Sequence, residues 1–379
     1  MKFLFAASSC LLDPTSGAAI SMRVLLSSLA DLGHAVTACT ATVFDSANGA
    51  RAVQRLFAQK ERPRQLLVHN AGVKHFLTPT SHWARAEVSA AEMERLDEHF
   101  RVLIEHDRPD VVISYGGMVS ERHMLAQARR AGITTAFMLV NPSYHHLGYF
   151  ADVDHVFTDS PTTARLYKDR LSLEVTPLGR MLDPSAVVAE NRDPEFVTFV
   201  NPSFDKGVNL VARLALMCRD SLPEAKFLVV ESRGQWAPSL QVLGLRPADL
   251  PNVTVIPTQP DMRSVYAQTK ILLVPSMWFE SGARVGIEAI ANGIPVLVES
   301  EGGTKDLLGD GAVVIDIPKE ARDARQNLMS EDQARPWYKA LAQLYQDEAY
   351  FGRIAAQARA EASRLRKDEA AQNFLSLIA

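Results

Sequence analysis

Glu280-Ser-Gly-Ala-Arg-Val-Gly-Ile-Glu288 sets two carboxylates eight positions apart across a glycine-containing turn and the start of a helix. Ahead of it, Ile271–Pro275 is a short apolar run ended by proline, which reads as a buried parallel strand. Behind it, Val285–Asn292 has helical apolar spacing closed by Gly293. Ser281, Gly282 and Ala283 are small enough for the backbone between them to approach a ligand, and amides at a helix amino terminus carry partial positive charge, so an anion fits there. Glu280 falls at the strand end and Glu288 about two turns into the helix, which points both towards one cleft at the carboxyl edge of a parallel sheet. Carboxylates there accept hydrogen bonds from vicinal diols, as in ribose and hexoses. Two glutamates alone would favour a plainer reading, Glu280 as a helix-start acid and Glu288 as a solvated side chain. The flanks reverse that preference: Ile294–Val298 is another strand, and Gly302-Gly303 with Asp306 makes a second small-residue turn at the same sheet edge.

Taken in order, Val274-Pro-Ser, Glu280 to Glu288, Ala289, Gly293-Ile-Pro-Val and Gly302-Gly303 resemble the donor-site signature of family 4 retaining glycosyltransferases, the glycosyl transferases group 1. The resemblance is close from Asn252 to Asp316 and looser elsewhere. It implies an α/β chain of the GT-B fold, two Rossmann-like domains facing across a cleft, with a C-terminal helix returning to the first domain. It also implies that Glu280 contacts the transferred sugar, that Glu288 binds the nucleotide ribose, and that backbone amides of Ser281, Gly282 and Ala283 hold the diphosphate.

Length and composition agree. A chain of 379 residues is too long for one ordinary core and suits two domains of about 180 residues. Hydrophobic residues at 47% and charged residues at 22% describe a globular protein, and no apolar run approaches the roughly 20 residues needed to cross a bilayer. Lys2-Phe-Leu-Phe-Ala-Ala-Ser8 has the look of a signal segment, but Asp13-Pro14 interrupts it, and it reads as the first strand. Cys10, Cys39 and Cys218 are separated and unpatterned, which argues against a disulfide framework or zinc site and favours a reducing cytoplasm. The net charge of −4 gives no general attraction to nucleic acid.

The first half alternates strands and helices. Phe3–Ala7 leads through a loop holding Gly17 and Ala18 into a helix from Ile20 to Leu32, and Gly33 precedes a strand at Ala35–Thr40. A Rossmann dinucleotide site competes here but is weak, since the loop offers one glycine where that fingerprint wants three. The resemblance assigns Gly17 and Ala18 to the donor sugar or diphosphate, with Ala18 standing where a second glycine is usual. Further strands are expected at Val111–Ser114, Thr135–Val140 and His155–Thr158, with a helix bearing Arg122, Arg129 and Arg130 between them, and Gly116-Gly117 making another carboxyl-edge turn. Asp152-Val-Asp154 looks like the metal-binding aspartate pair of other glycosyltransferases, but it runs straight into a strand and reads as structural. Family members often carry a histidine where Val140 stands here. Valine cannot donate a hydrogen bond, so either the sugar contact passes to Asn141 or to His145, in the polar His145-His146 loop, or the site operates without it.

Pro177 to Asp193 reads as the interdomain linker, giving domains at 1–178 and 179–345 and a helical tail at 346–379 that packs back on the first. The second domain opens with Phe196–Val200, Asn201-Pro-Ser-Phe-Asp-Lys206-Gly207 and a helix from Val208 to Cys218. A lysine at such a strand-to-helix turn reaches a phosphate as a point charge. The family's second cation, an arginine, stands at the position of Asn201, so Arg284 or Arg233 is expected to supply the charge. The base is expected beside Pro257–Met262, including Gln259, and Tyr266 reads as a packed helix residue.

The whole predicts a metal-independent, retaining transferase with no cofactor beyond its UDP- or GDP-linked donor substrate, catalysis resting on Glu280, Lys206 and His145. The acceptor would be a hydroxyl of a glycan, lipid-linked or small molecule. The alternative is a catalytically silent homologue that binds nucleotide sugar or serves as a partner subunit, favoured by Asn201 and Val140. An epimerase or phosphorylase with a similar cleft also stays open. Arg51, Arg55, Lys60, Arg62 and Arg64, opposed only by Glu61, read first as a solvated face with an acceptor-side loop; the other reading is steering of an anionic acceptor or peripheral contact with an anionic membrane, at the inner membrane face for a cytoplasmic protein.

Overall fold

In the computed structural model, which describes residues 1–59 and 61–378, the chain divides into two compact units, Met1–Met181 with Lys367–Ala379 and Leu182–Arg366. Lys60, one member of the basic cluster, lies outside the described residues.

The first unit is built on an eight-stranded sheet. Its strands are β1 (Lys2–Ala7), β2 (Ala35–Ala41), β3 (Leu66–Asn70), β4 (Val73–Thr78), β5 (Val111–Ser114), β6 (Thr134–Leu139), β7 (His155–Thr158) and β8 (Thr176–Pro177). The order is β3-β4-β2-β1-β5-β6-β7-β8, parallel except that β3 runs against β4. β1 and β5 are buried on both faces, as the apolar runs of parallel strands covered by helices require. The sequence reading did not anticipate the β3–β4 hairpin. β3 lies at the sheet edge with no fully buried residue, so it carries no alternation to detect, and its turn is Ala71-Gly72 with φ of 47° and 78°.

The second unit holds a six-stranded parallel sheet of β9 (Phe196–Val200), β10 (Phe227–Val230), β11 (Val253–Ile256), β12 (Thr269–Val274), β13 (Val296–Glu299) and β14 (Ala312–Ile315). Its order is β11-β10-β9-β12-β13-β14. From β9 the chain builds outward on one side, and from β12 on the other. The carboxyl ends of β9 and β12 therefore flank the point where strand order reverses, the crevice in which open α/β sheets bind ligands. In the first unit β1 and β5 flank the corresponding point.

The helices Glu331–Gln346 and Glu348–Ala362 belong to the second unit, where Trp337, Leu341 and Leu344 share a core with the helix Val208–Ser221. Gly311 lets the second of these helices approach closely, since a Cβ there would lie 2.7 Å from the Ala358 Cα. Only the last helix, Glu369–Ile378, lies in the first unit, where Phe374 packs on Phe3 and Phe157 at ring separations of 6.0 and 5.1 Å. The divisions fall at 181/182 and 366/367, against 178/179 and 345/346 in the sequence reading.

Candidate active site

Two loops meet at the reversal point of the second sheet. The first follows β9. Asn201 has φ 66°, a left-handed conformation that asparagine tolerates, and its Oδ1 accepts a hydrogen bond from the Gly234 amide at 2.7 Å. The loop continues to Lys206 and Gly207, which has φ 90° and whose Cβ, were there one, would lie 2.1 Å from the Pro275 carbonyl oxygen. Only glycine permits that approach, and it seats the β9 loop directly on the segment following β12. The Met277 amide donates to the Asp205 carbonyl at 2.9 Å and closes the contact.

Lys206 is thereby delivered to Glu280, and the two form an ion pair. Glu280 Oε1 also accepts from Ser276 Oγ and Trp278 Nε1, each at 2.9 Å, and the Lys206 ammonium lies 5.7 Å from the Trp278 ring centroid. Burial by itself would raise the Glu280 carboxyl. The Lys206 charge and these donors outweigh burial and hold it below its ordinary value, so it is an anion at neutral pH.

The backbone of Glu280 is clamped as well. Its carbonyl accepts from the Gly303 amide at 2.7 Å, and a Cβ on Gly302 would lie 2.6 Å from the same oxygen. The Gly302-Gly303 loop is held in turn by Glu299, 1% exposed at the end of β13. Its carboxylate accepts from the amides of Glu301 (2.7 Å) and Gly302 (2.8 Å) and from Arg322 Nη2 (3.0 Å). Arg322 also pairs with Glu301 at 2.7 Å. Glu299, Arg322 and Trp278 did not enter the sequence reading.

Ser281, Gly282 and Ala283 lead into the helix Arg284–Ala291. Ser281 and Ala283 are buried, Gly282 is half-buried, and the Ala283 amide donates to Thr304 Oγ1 at 2.9 Å. Glu288 is buried on this helix, with Arg284 Nε 2.7 Å from its Oε1 and Tyr266 Oη donating to its Oε2 at 2.5 Å. Tyr266 is more than the packed residue expected. It is fully buried, and burial followed by the Glu288 charge pushes its phenol well above its ordinary value, so it remains a donor.

Two expectations about charge are corrected here. Arg284 is committed to Glu288, one turn along its own helix, rather than standing as a second phosphate cation. The Asn201 side chain serves the turn and the 232–235 loop, and Gly234 must be glycine because a Cβ would lie 2.6 Å from Pro202 C. Arg233, in that loop, is exposed. Gln259, in the loop after β11, donates to the Pro257 carbonyl at 2.8 Å.

The remaining candidates lie in the first unit. Gly17 and Ala18 are the first residues of the helix Gly17–Asp31 rather than part of a preceding loop, and a Cβ on Gly17 would meet nothing within 4 Å. His145 is exposed, with Arg170 Nη1 3.2 Å from its Nδ1. A guanidinium only donates, so in this contact the ring nitrogen is the acceptor. Asp154 accepts from the Thr135 amide and hydroxyl, each at 2.9 Å, which is the structural role expected of it. At the reversal point of this sheet the buried Glu121 accepts from the amide (2.8 Å) and the hydroxyl of Ser8. The position an anion would take against the amide after β1 is thus filled by the protein's own carboxylate, which counts against a dinucleotide site there.

Two Rossmann-like units of this kind have the GT-B fold. Residues 185–346 match the family described as Glycosyl transferases group 1, which identifies the second unit as its domain. A search of curated proteins finds no significant match. Among solved structures, sucrose-phosphate synthase from Thermosynechococcus elongatus is similar with a TM-score of 0.73 at 15% identity, covering 99% of this chain and 98% of that one. The pneumococcal O-GlcNAc transferase GtfA, in complex with UDP and GlcNAc, gives 0.70 at 12% over 100% and 98%. Anabaena HepE, in complex with UDP-glucose, gives 0.69 at 14% over 100% and 99%.

Proposed function

We propose that the protein transfers a hexose-type sugar from a UDP- or GDP-linked donor to an acceptor hydroxyl with retention at the anomeric carbon. The observation that carries this reading is the Lys206–Glu280 pair beside the amino terminus of the helix that bears Glu288. An anionic Glu280 accepts hydrogen bonds from sugar hydroxyls. Lys206, its partner, stabilises negative charge on the departing diphosphate together with the amides of Ser281 and Gly282, the Ala283 amide being taken by Thr304. Glu288, fixed by Arg284 and Tyr266, retains lone pairs for the ribose hydroxyls. In a front-face step the acceptor oxygen bonds to the anomeric carbon on the side from which the phosphate oxygen leaves. The acceptor proton passes to that oxygen, giving glycoside and nucleoside diphosphate. Positioning and leaving-group stabilisation carry this reaction without a protein nucleophile or a metal. The complexes of HepE with UDP-glucose and of GtfA with UDP and GlcNAc support a nucleotide-sugar donor. Three free, buried cysteines accord with a cytoplasmic setting.

Release of nucleoside diphosphate from a panel of UDP- and GDP-sugars tests the reading. Lys206→Ala and Glu280→Ala are each expected to slow release by at least about tenfold with the fold intact, and wild-type rates in both would overturn the assignment. The departure at Asn201 favours a second reading, a silent nucleotide-sugar-binding homologue. Binding of a nucleoside diphosphate without release from any donor would select it.

A further inference from the structure

Several exposed arginines in this protein stand beside an acid, as Arg219 does with Asp220 (2.7 Å), Arg246 with Asp249 (3.0 Å), Arg263 with Asp261 (2.6 Å) and Arg335 with Asp332 (2.8 Å), and among the described residues others, such as Arg101 and Arg165, do not. The stretch from Arg51 to Arg64 stands out by its local charge balance. Of the chain's 40 basic and 44 acidic side chains, five and one fall within it, so the remainder carries eight more acids than bases. Arg51, Arg55 and Arg64 are exposed and Arg62 is half-buried, donating to the Phe57 carbonyl at 3.2 Å. Among the described residues no carboxylate lies within 4.0 Å of any of these four guanidinium groups.

The described residues around Ala50 are seated on the first unit. Ala50 is buried in a cluster with Cys10, Phe44 and Leu77, Val53 and Phe57 pack against it, and Gly49 sits so close to Asp13 that a Cβ would lie 2.3 Å from its Oδ1. It leaves the carboxyl end of β2 and enters β3, whose first residue pairs with Leu77 near the carboxyl end of β4, so it occupies the carboxyl edge of the first sheet. The basic surface continues along β3, where Leu67 is 55% exposed and His69 pairs with the exposed Lys74.

We infer that this basic surface docks the first unit on an anionic lipid bilayer. Guanidinium groups without internal counter-charge retain their full attraction for headgroup phosphates, whereas paired ones would have to give up an acid first. An exposed leucine among them suits the headgroup boundary, which accepts apolar side chains alongside basic ones. The acidic balance of the remaining surface opposes any other orientation on the same bilayer.

The test is co-sedimentation of the full chain with vesicles of phosphatidylcholine containing phosphatidylglycerol, against vesicles of phosphatidylcholine alone. Binding is expected only to the anionic vesicles, and to vanish in high salt as the Debye length shrinks and the attraction is screened. Each basic residue contributes about fivefold to partition, so the triple variant R51S/R55S/R64S is expected to bind about a hundredfold more weakly. Unchanged binding of UDP or GDP shows that the variant is folded. No binding of the wild-type chain to anionic vesicles, or equal binding by the triple variant, overturns the inference. So does competition by millimolar glycerol phosphate, which would make the surface a site for a soluble anion, or tighter binding to single-stranded RNA than to vesicles.

Discussion

The two units share a plan and use charge at its reversal point in opposite ways. In the first, the buried Glu121 occupies the anion position after β1 itself, held by Ser8, while arginines further along the same edge stand without acid partners. In the second, three carboxylates near the reversal point each have a cation beside them: Glu280 has Lys206, Glu288 has Arg284 and Glu299 has Arg322. Such pairs fix the geometry of a site whose ligand brings both hydroxyls and a diphosphate. The first unit closes its own anion position and leaves its cations for a partner that is spread out.

Removing one side of a pair is the strongest way to break the contrast. Lys206→Ala takes away the cation assigned to the leaving diphosphate, and turnover is expected to fall by about a hundredfold. A loss confined to KM would make Lys206 a ground-state binder only. Next, Arg322→Ala strands the buried Glu299 carboxylate and frees the Gly302-Gly303 loop from Glu280. A loss of roughly 3 kcal/mol in denaturant unfolding is expected, with donor turnover lowered as well. Turnover unchanged after correction for unfolded protein would make the pair purely structural.

Acid should sharpen the difference. In the first unit His75 is 1% exposed on β4, and burial, then Arg23 and His69, lower its imidazole from 6.5 to about 4. Its neutral form is favoured by folding, so its share of stability is whole above pH 6.5 and is lost as pH falls towards about 4. The full loss is on the order of 3 kcal/mol, and His75→Gln should flatten that slope. In the second unit the folded Glu280 carboxyl lies below 4.5. Its contribution therefore holds down to pH 4.5 and is lost only as pH falls further, through the folded value. Loss of stability between pH 6.5 and 4.5 is then expected to start in the first unit, which amide exchange resolved by unit would show. The smallest effect is expected at Tyr266→Phe, which removes one donor from Glu288. KM for the donor should rise about fivefold with kcat nearly unchanged.

What was legible in the sequence differs between the units for a physical reason. Glu280, Glu288 and Lys206 sit at strand ends next to glycines, and a strand-turn-helix pattern places such residues at a sheet edge without further knowledge. Tyr266, Trp278, Glu299 and Arg322 act through partners fixed by tertiary packing, and nothing local in Tyr266 says that its hydroxyl meets Glu288 22 positions away. Asn201 looked like a missing cation because only its charge was compared. Its left-handed backbone and its bond to Gly234 give it a task arginine is poorly suited to. The apolar spacing that begins at Ile20 places Gly17 and Ala18 in a loop, whereas the helix starts three residues earlier at Gly17.

Titration calorimetry of UDP and GDP against the wild-type chain and Lys206→Ala tests the donor site most directly. The paired-charge site predicts that one of the two diphosphates binds the wild type and binds Lys206→Ala at least about tenfold more weakly, a difference of roughly 1.4 kcal/mol. Binding of neither nucleotide, or equal binding by the variant, would contradict it.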